Sequence, residues 1–515
     1  MDALPDWLIA LPDAETMRAI DRWAIDRSKT GQQGVPGLEL MERAGAAVAR
    51  AVEVHCADGP AAVVCGKGNN GGDGLVAARQ LREAGREVTV VCVAPLEEFS
   101  GDAAENLRRL PGEAPVSLAD GMPAIAGAAV AVDALLGTGF AGEPHGPTAT
   151  AIEELNASAA PVVAVDVPSG VDASTGVVAG SAVRAAVTVT FHAAKPGLWI
   201  RPGKTYAGDV HTVDIGIPRG APMTATIGLI ADSVRERLPR RDAESTKFAS
   251  GQVVVAGGSR GLAGAPCMAS RASMRAGAGY VTACVPRSLQ DVIAGAGTPE
   301  LMTRGLPEED GAFDATAAEG VIEGIRPGGA LALGPGLGRT SGAFAFAREL
   351  ARDADAPMVL DADGLNAHAG RLGDLAARSK ATVLTPHAGE LARLLELDSR
   401  QIERERLRHA RAAAEQAHAV VVLKGDDTLI AAADGHVAVS QGGSPALATA
   451  GTGDVLTGVI AALLAQGLDA FTAACAGVWL HAQAGRGAAR RQGAVEGVIA
   501  SDVIESLPAA RRGDA

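Results

Sequence analysis

Aromatic side chains are scarce in this 515-residue chain, at 3% of the sequence, so large flat rings cannot supply the bulk of its core. Val, Leu, Ile and Ala must do so, and with 65 glycines for tight turns that composition favours parallel α/β architecture. Cysteine is equally thin. The six present, at 56, 65, 92, 267, 284 and 475, include no Cys-x-x-Cys pair, and several sit in Val/Ala-rich strand-like runs. They read as buried reduced thiols, not a disulfide framework. No apolar run approaches the ~18 residues that suggest a membrane span. Residues 1–20 mix Asp, Pro, Glu and Arg with short apolar pieces and lack the continuous segment of a signal peptide. A cytoplasmic protein with no membrane contact is expected. Positive charge is also in deficit. The formal net charge of -14 argues against nucleic acid or an acidic membrane as the main partner, because both normally require a basic face.

What is present is an ordinary globular composition, 47% hydrophobic and 21% charged, on a chain too long for one core. Single domains stop growing near roughly 250 to 300 residues, so two are expected. In the first half, Ala61 to Cys65 reads as a strand, Gly66 to Gly74 as a loop, Leu75 to Ala84 as a helix and Glu87 to Ala94 as the next strand, which is a βαβ unit. Further strands run into Asp133 and Asp166, each followed by a Gly- or Pro-containing loop. Composition breaks between about Arg219 and Lys247, where prolines and charged runs interrupt the apolar pattern. The division is placed there, giving domains over 1–225 and 226–515. Strand-like runs then restart at 252–256, 280–285, 330–333, 358–361, 382–385 and 420–423, so the second half is a complete α/β domain of its own.

In the second half, Gly451-Thr452-Gly453-Asp454 precedes an amphipathic stretch, Val455 to Leu468. Glycines let a phosphate approach the backbone, and the positive end of the following helix favours an anion. Asp454 at that end is the candidate to take a proton from a substrate hydroxyl. The same residue types also serve a capped helix start, so this loop alone leaves both readings open. Lys424-Gly425-Asp426-Asp427-Thr428 follows an apolar strand, as do Gly334 to Gly338, Gly257-Gly258-Ser259, and His387 with Glu390. Polar loops gathered at one sheet edge are where ligands bind in open α/β folds.

These motifs, with Gly264-Ala265-Pro266, Asp361 to Asn366 and Leu384 to Glu390, resemble in order and spacing the ribokinase-like fold and, within it, the nucleotide-dependent NAD(P)H-hydrate dehydratases. The resemblance implies that Lys424, Gly425, Asp426, Asp427, Thr428 and Gly453 contact ADP, with Mg2+ accompanying its phosphates. It implies hydrate binding by Ala265, Gly336, His387 and Asp454. Ala388 stands where that family usually has proline, and Ser444, Ala446 and Ala450 stand where it is richer in Gly and Asn.

In the first half, Gly66-Lys67-Gly68-Asn69-Asn70-Gly71 formally satisfies G-x-G-x-x-G, but the next strand ends at Val93-Ala94-Pro95 without an acidic residue for an adenosine ribose. Asn70, Asp133, Asp166 and Ser169 offer only hard oxygen donors near strand ends, and they equally suit turn and helix caps. With Pro36 to Gly45, Asn69 to Gly74, Asp133 to Gly139 and Asp166 to Gly170, this half resembles the NAD(P)H-hydrate epimerases. That implies a Rossmann-like three-layer αβα domain, potassium at Asn70, Asp133 and Ser169, and hydrate binding by Asn69, Asn70, Gly71, Gly72 and Asp73. The loop residues Gly137, Thr138, Gly139, Phe140, Ala141, Gly142 and Glu143, together with Asp166, are implied in the same role. Asp166 is the candidate for proton transfer at the hydroxyl-bearing carbon. His192 and Lys195 could touch substrate phosphates but read first as a strand-end turn, and the Ala-rich segment Leu40 to Val52 as a core-packed helix or a subunit interface.

The two resemblances converge on one bifunctional repair of hydrated nicotinamide nucleotides, by a protein expected to be homo-oligomeric. The rival is a small-alcohol kinase fused to a non-catalytic binding module. Product analysis separates them, because a kinase accumulates phosphorylated substrate.

Overall fold

The computed structural model describes residues 4–513, which form two compact units. One comprises residues 10–228 and the other residues 5–9 with 229 onward. Strand β1 (Leu8–Ala10) opens the chain. The first unit is built on β2 (Ala61–Cys65), β3 (Val88–Cys92), β4 (Val116–Ser117), β5 (Val130–Ala134), β6 (Val162–Val165), β7 (Val187–Phe191) and β8 (Asp209–Val213).

These seven strands lie in the order β4-β3-β2-β5-β6-β7-β8, and every neighbouring pair is parallel. Residues of β2, β5 and β6 are all buried, as expected when helices cover both faces of a parallel sheet. The chain moves outward from β2 through β3 to β4, then returns to the other side at β5. Loops therefore diverge between β2 and β5, and the carboxyl ends of the strands open there into a crevice.

The glycine-rich stretch after β2 is not a loop through Gly74, as its composition suggests. The helix begins at Asn69 and runs to Glu83. Glycine disfavours helix, but close packing requires it here. A Cβ on Gly71 would stand 1.7 Å from the Gly66 carbonyl oxygen, and one on Gly74 would stand 2.5 Å from the Cβ of Ala134. The glycines thus lower the first helical turn onto the sheet. Against this helix packs Gly37–His55, which buries Leu40, Ala44, Val48 and Val52. Its apolar face is used within its own unit.

The second unit adds β9 (Ile227–Ile230), β10 (Gln252–Ala256), β11 (Tyr280–Pro286), β12 (Met302–Leu306), the hairpin β13 (Glu308–Glu309) and β14 (Ala312–Phe313), β15 (Ala330–Leu333), β16 (Met358–Leu360), β17 (Thr382–Leu384), β18 (Val420–Leu423), β19 (Leu429–Ala431) and β20 (Val437–Val439). Its sheet runs β1-β9-β20-β19-β18-β17-β16-β15-β10-β11-β12. It is parallel from β12 to β18, and β19 and β20 turn antiparallel. The helix expected from Val455 instead spans Thr452–Ala465, so Gly453 and Asp454 belong to its first turn. All six cysteines are free, and five are buried. Among the described residues no helix is long and apolar enough to cross a membrane.

Candidate active sites

In the first unit the crevice is a cavity of about 730 Å³ whose lining includes Asn69, Asn70, Asp73, Thr138, Asp166 and Lys195. Asp166 sits just beyond β6 with φ +66°, a conformation a non-glycine residue adopts only when its surroundings hold it. What holds it is visible. The Thr138 amide donates to Oδ2 at 3.0 Å, and the Thr138 hydroxyl donates to the same oxygen. On Oδ1, Lys195 Nζ donates at 2.6 Å and Thr190 Oγ1 at 3.2 Å. Burial alone would push the Asp166 carboxyl up, but Lys195 and these donors bring it below its usual range.

Two further carboxyls face the same cavity and go the other way. Burial pushes Asp21, on the helix Ala14–Lys29, up to about 6, with Lys195 opposing and Asp166 adding. Asp73 rises well above the usual carboxylate range, through burial and the charges of Asp166 and Asp21. An anchored anion beside carboxyls of raised pKa in a shared pocket is a division of labour suited to acid/base chemistry.

Behind the cavity, Asp133 is fully buried. Its carboxylate accepts from Ser169 N at 2.8 Å, Ser169 Oγ at 2.6 Å and Leu135 N at 3.2 Å. Burial still pushes it up to about 6, which marks a carboxylate short of positive charge. The Asn70 side-chain nitrogen is buried without a partner, while its oxygen lies against Gly137. A carboxylate, a hydroxyl and an amide oxygen fit a hard monovalent cation. Of the other expected residues, Gly71 and Gly72 are buried in the helix, and Ala141, Gly142 and Glu143 lie on the exposed continuation of the loop.

In the second unit Lys424, at the end of β18, donates to Asp361 Oδ1 at 3.0 Å and lies 3.8 Å from Glu390 Oε2. Thr457 Oγ1 donates to the other Asp361 oxygen at 2.7 Å. Burial works against the ammonium, but Asp361 and Glu390 outweigh it and hold Lys424 above its usual value. Asp454 stands beside this pair in the first turn of its helix. Burial pushes it up to about 7, with Asp361 adding and Lys424 opposing. A Cβ on Gly453 would stand 3.7 Å from Lys424 Nζ, so the ammonium and the glycine turn face one space.

His387 caps the helix Ala388–Leu395. Its Nδ1 accepts from Gly389 N at 3.0 Å, and Glu390 reciprocates by accepting from His387 N at 2.9 Å. Gly336 lies against Ala265, where a Cβ would approach within 3.0 Å. In the turn after β18, Thr428 Oγ1 donates to the Gly425 carbonyl at 2.6 Å, and Asp426 is exposed. The Asp427 carboxylate turns inward to buried Arg406 at 2.9 Å. Among the described residues no group of three or more His, Cys, Asp or Glu is arranged to hold a metal ion.

Comparison with known proteins fits this two-site layout. The family described as NAD(P)H-hydrate dehydratase matches residues 253–509, and the YjeF-related protein N-terminus matches residues 37–197. The bifunctional NAD(P)H-hydrate repair enzyme Nnr of Moorella thermoacetica is 41% identical over 95% of this chain and 95% of its own. This chain belongs to that bifunctional family. The Salinibacter ruber member is 40% identical over 96% of this chain and 95% of its own. Among solved structures, the ADP/ATP-dependent NAD(P)H-hydrate dehydratase of Bacillus subtilis, co-crystallised with ATP and Mg2+, is 30% identical. It covers 55% of this chain and 96% of that one, with a TM-score of 0.48.

Sequence reasoning missed part of both sites. Lys195, which the sequence offers as a turn residue or a phosphate contact, is instead 1% exposed and directed at Asp166. Asp21 was not singled out, and neither was Thr457. His481, pushed down to about 4 by burial, hydrogen-bonds the Thr452 backbone from the helix Ala470–Gln492 and braces the glycine turn. None of these carries a local motif.

Proposed function

We propose that residues 1–225 epimerise the S and R forms of NAD(P)H hydrate and that residues 226–515 dehydrate the S form to NAD(P)H at the expense of ADP. The observation that carries this reading is the presence, in one chain, of two separately built sites, each pairing an anchored lysine–carboxylate contact with a second carboxyl of raised pKa.

Water adds to an enamine with its hydroxyl on the carbon beside nitrogen, so inversion there can proceed by the hydroxyl leaving and returning. In our reading Asp73 gives its proton to the hydroxyl and the carbon–oxygen bond breaks. The ring nitrogen's electron pair forms the double bond to carbon, and Asp166 stabilises the resulting cation. Water then adds from the opposite face, Asp166 takes its proton, and solvent resets both carboxyls. Asn70, Asp133 and Ser169 would hold K+, whose charge would neutralise Asp133 and order the loops around it.

In the second site hydroxide is too poor a leaving group for the ring to expel unaided. Asp454 takes the hydroxyl proton, the hydroxyl oxygen bonds to the terminal phosphorus of ADP, and AMP departs. Lys424 and the amides around Gly453 balance the charge on the transferring group. The carbon–oxygen bond then breaks to release inorganic phosphate, which takes the proton from the neighbouring carbon, and the ring double bond is restored. Mg2+ would accompany the ADP phosphates and offset their charge.

The test is incubation with mixed hydrate stereoisomers and ADP, following reduced-nicotinamide absorbance. Complete conversion is expected. Conversion stopping at the S fraction would overturn the epimerase assignment, and accumulation of phosphorylated substrate would favour a simple kinase.

A further inference from the structure

A second cavity adjoins the first in the N-terminal unit. It measures about 560 Å³ and shares Val93, Ala94 and Pro147 with the 730 Å³ cavity that holds Asp166. It opens at the carboxyl ends of β3 and β4, and Leu96, Val116, Leu118 and Met122 make its remaining walls largely apolar. No charged side chain lines it, and no step of the epimerisation uses it.

The topology says what such a space is for. In an open parallel sheet a dinucleotide lies across the switch point, with its diphosphate at the first helix N-terminus and its two bases over opposite wings. Here the switch point falls between β2 and β5. The diphosphate position corresponds to the turn from Gly66 to the helix Asn69–Glu83, and Lys67 lines the first cavity on that turn. Asp166 and Lys195 lie on the β6/β7 wing, while the second cavity lies on the β3/β4 wing.

Resting on the epimerase reading, we propose that the second cavity is the adenine subsite of the hydrate substrate. The reacting ring lies at Asp166, the diphosphate spans Gly66 to Asn69, and the adenine ring fills the apolar space between Ala94 and Met122. A flat, uncharged heterocycle matches a neutral apolar wall, and the shared Val93, Ala94 and Pro147 place the two cavities side by side along the carboxyl ends of the strands. The absent acidic residue at Val93-Ala94-Pro95 does not exclude this orientation. It removes only the ribose contact, and apolar contact with the base takes over the anchoring.

The experiment compares two substrates on the full-length chain without ADP, so that only epimerisation proceeds, with the stereoisomers separated chromatographically. One substrate is NADH hydrate. The other is the hydrate of reduced nicotinamide mononucleotide, which has the reacting ring and one phosphate but no adenine. Wild type is expected to prefer the dinucleotide by at least about tenfold in kcat/KM, the equivalent of about 1.4 kcal/mol of adenine contact. Met122→Glu, which places a charge in the apolar wall, and Thr150→Trp, which fills the space, should each collapse that preference towards unity through KM. Thermal unfolding of each variant checks that the unit remains folded. Equal kcat/KM for both substrates in wild type, or an unchanged preference in both folded variants, would overturn the subsite and leave the epimerase reading standing. Wild type that epimerises neither hydrate would overturn both.

Discussion

Lys195 Nζ lies 2.6 Å from Asp166 Oδ1 and also donates to Thr190 Oγ1 at 2.7 Å and to the Phe191 carbonyl at 3.0 Å. With all three contacts made at 1% exposure, the ammonium is fixed, and it fixes the carboxylate that the first cavity is built around. Lys195→Met would leave Asp166 buried beside no cation. Breaking one partner of a buried pair typically destabilises by about 3 to 5 kcal/mol, and the Asp166 carboxyl would rise because burial then acts unopposed. Thermal unfolding should show the N-terminal unit weakened and epimerisation lost, with ADP-driven dehydration of the S form retained. Lys195→Met with Asp166→Asn should regain most of the stability and none of the epimerase activity. If the single variant epimerises normally, the pair is not part of the site.

Asp73 tests the division of labour within that cavity. Burial and the charges of Asp166 and Asp21 hold its carboxyl well above the usual carboxylate range, so a step that consumes its proton should fade as pH rises through its pKa. Asp73→Asn keeps the size and neutrality of the side chain and removes the transferable proton. The epimerase kcat should fall by about 10² to 10⁴ with little change in KM, and the alkaline limb of the profile should disappear. A variant that loses KM alone would make Asp73 a binding group and not an acid.

How much of this was legible beforehand depends on whether a residue's role is local. The strands were readable because β2, β5 and β6 are uninterrupted Val/Ala runs buried on both faces. Asp133, Asp166 and Asp454 stood out because each sits where such a strand or a glycine turn ends. Lys195 and Asp21 did not, because burial is set by tertiary packing. Asp21 is one acidic residue among several charges on a 16-residue helix, and nothing in its spacing says that this face meets the cavity. The start of the helix at Asn69 was hidden for a related reason. Glycine locally signals a loop, and only the approach of Gly66 and Ala134 explains why glycine is required in a helix here.

Asp133 carries the potassium prediction. It is buried, raised to about 6, and among the described residues its anion is stabilised by Ser169 and Leu135. A monovalent cation beside it would supply the missing charge, so epimerisation should be faster in K+ than in an equal concentration of tetramethylammonium, which is too large for the site. Asp133→Asn should abolish that difference, because the amide neither attracts the cation nor needs one. Equal wild-type rates in the two salts would remove potassium from the site.

The second unit gives the sharpest pH test, because Lys424 and Asp361 push Asp454 in opposite directions. As the base, Asp454 must be ionised. The kcat/KM for ADP-driven dehydration should therefore be low in acid, rise through about 7 and level off above it. Asp454→Asn should lower kcat by about 10² to 10⁴ and remove the limb. Lys424→Met removes the one charge that lowers the Asp454 pKa and leaves Asp361 and Glu390 without their cation. The limb should move to higher pH, and KM for ADP should rise, since the ammonium proposed to meet the phosphates is gone. A limb that stays near 7 in Lys424→Met would mean that it reports another group. A limb that moves to lower pH would contradict the geometry, since nothing among the described contacts of Asp454 favours its anion more once the lysine is gone.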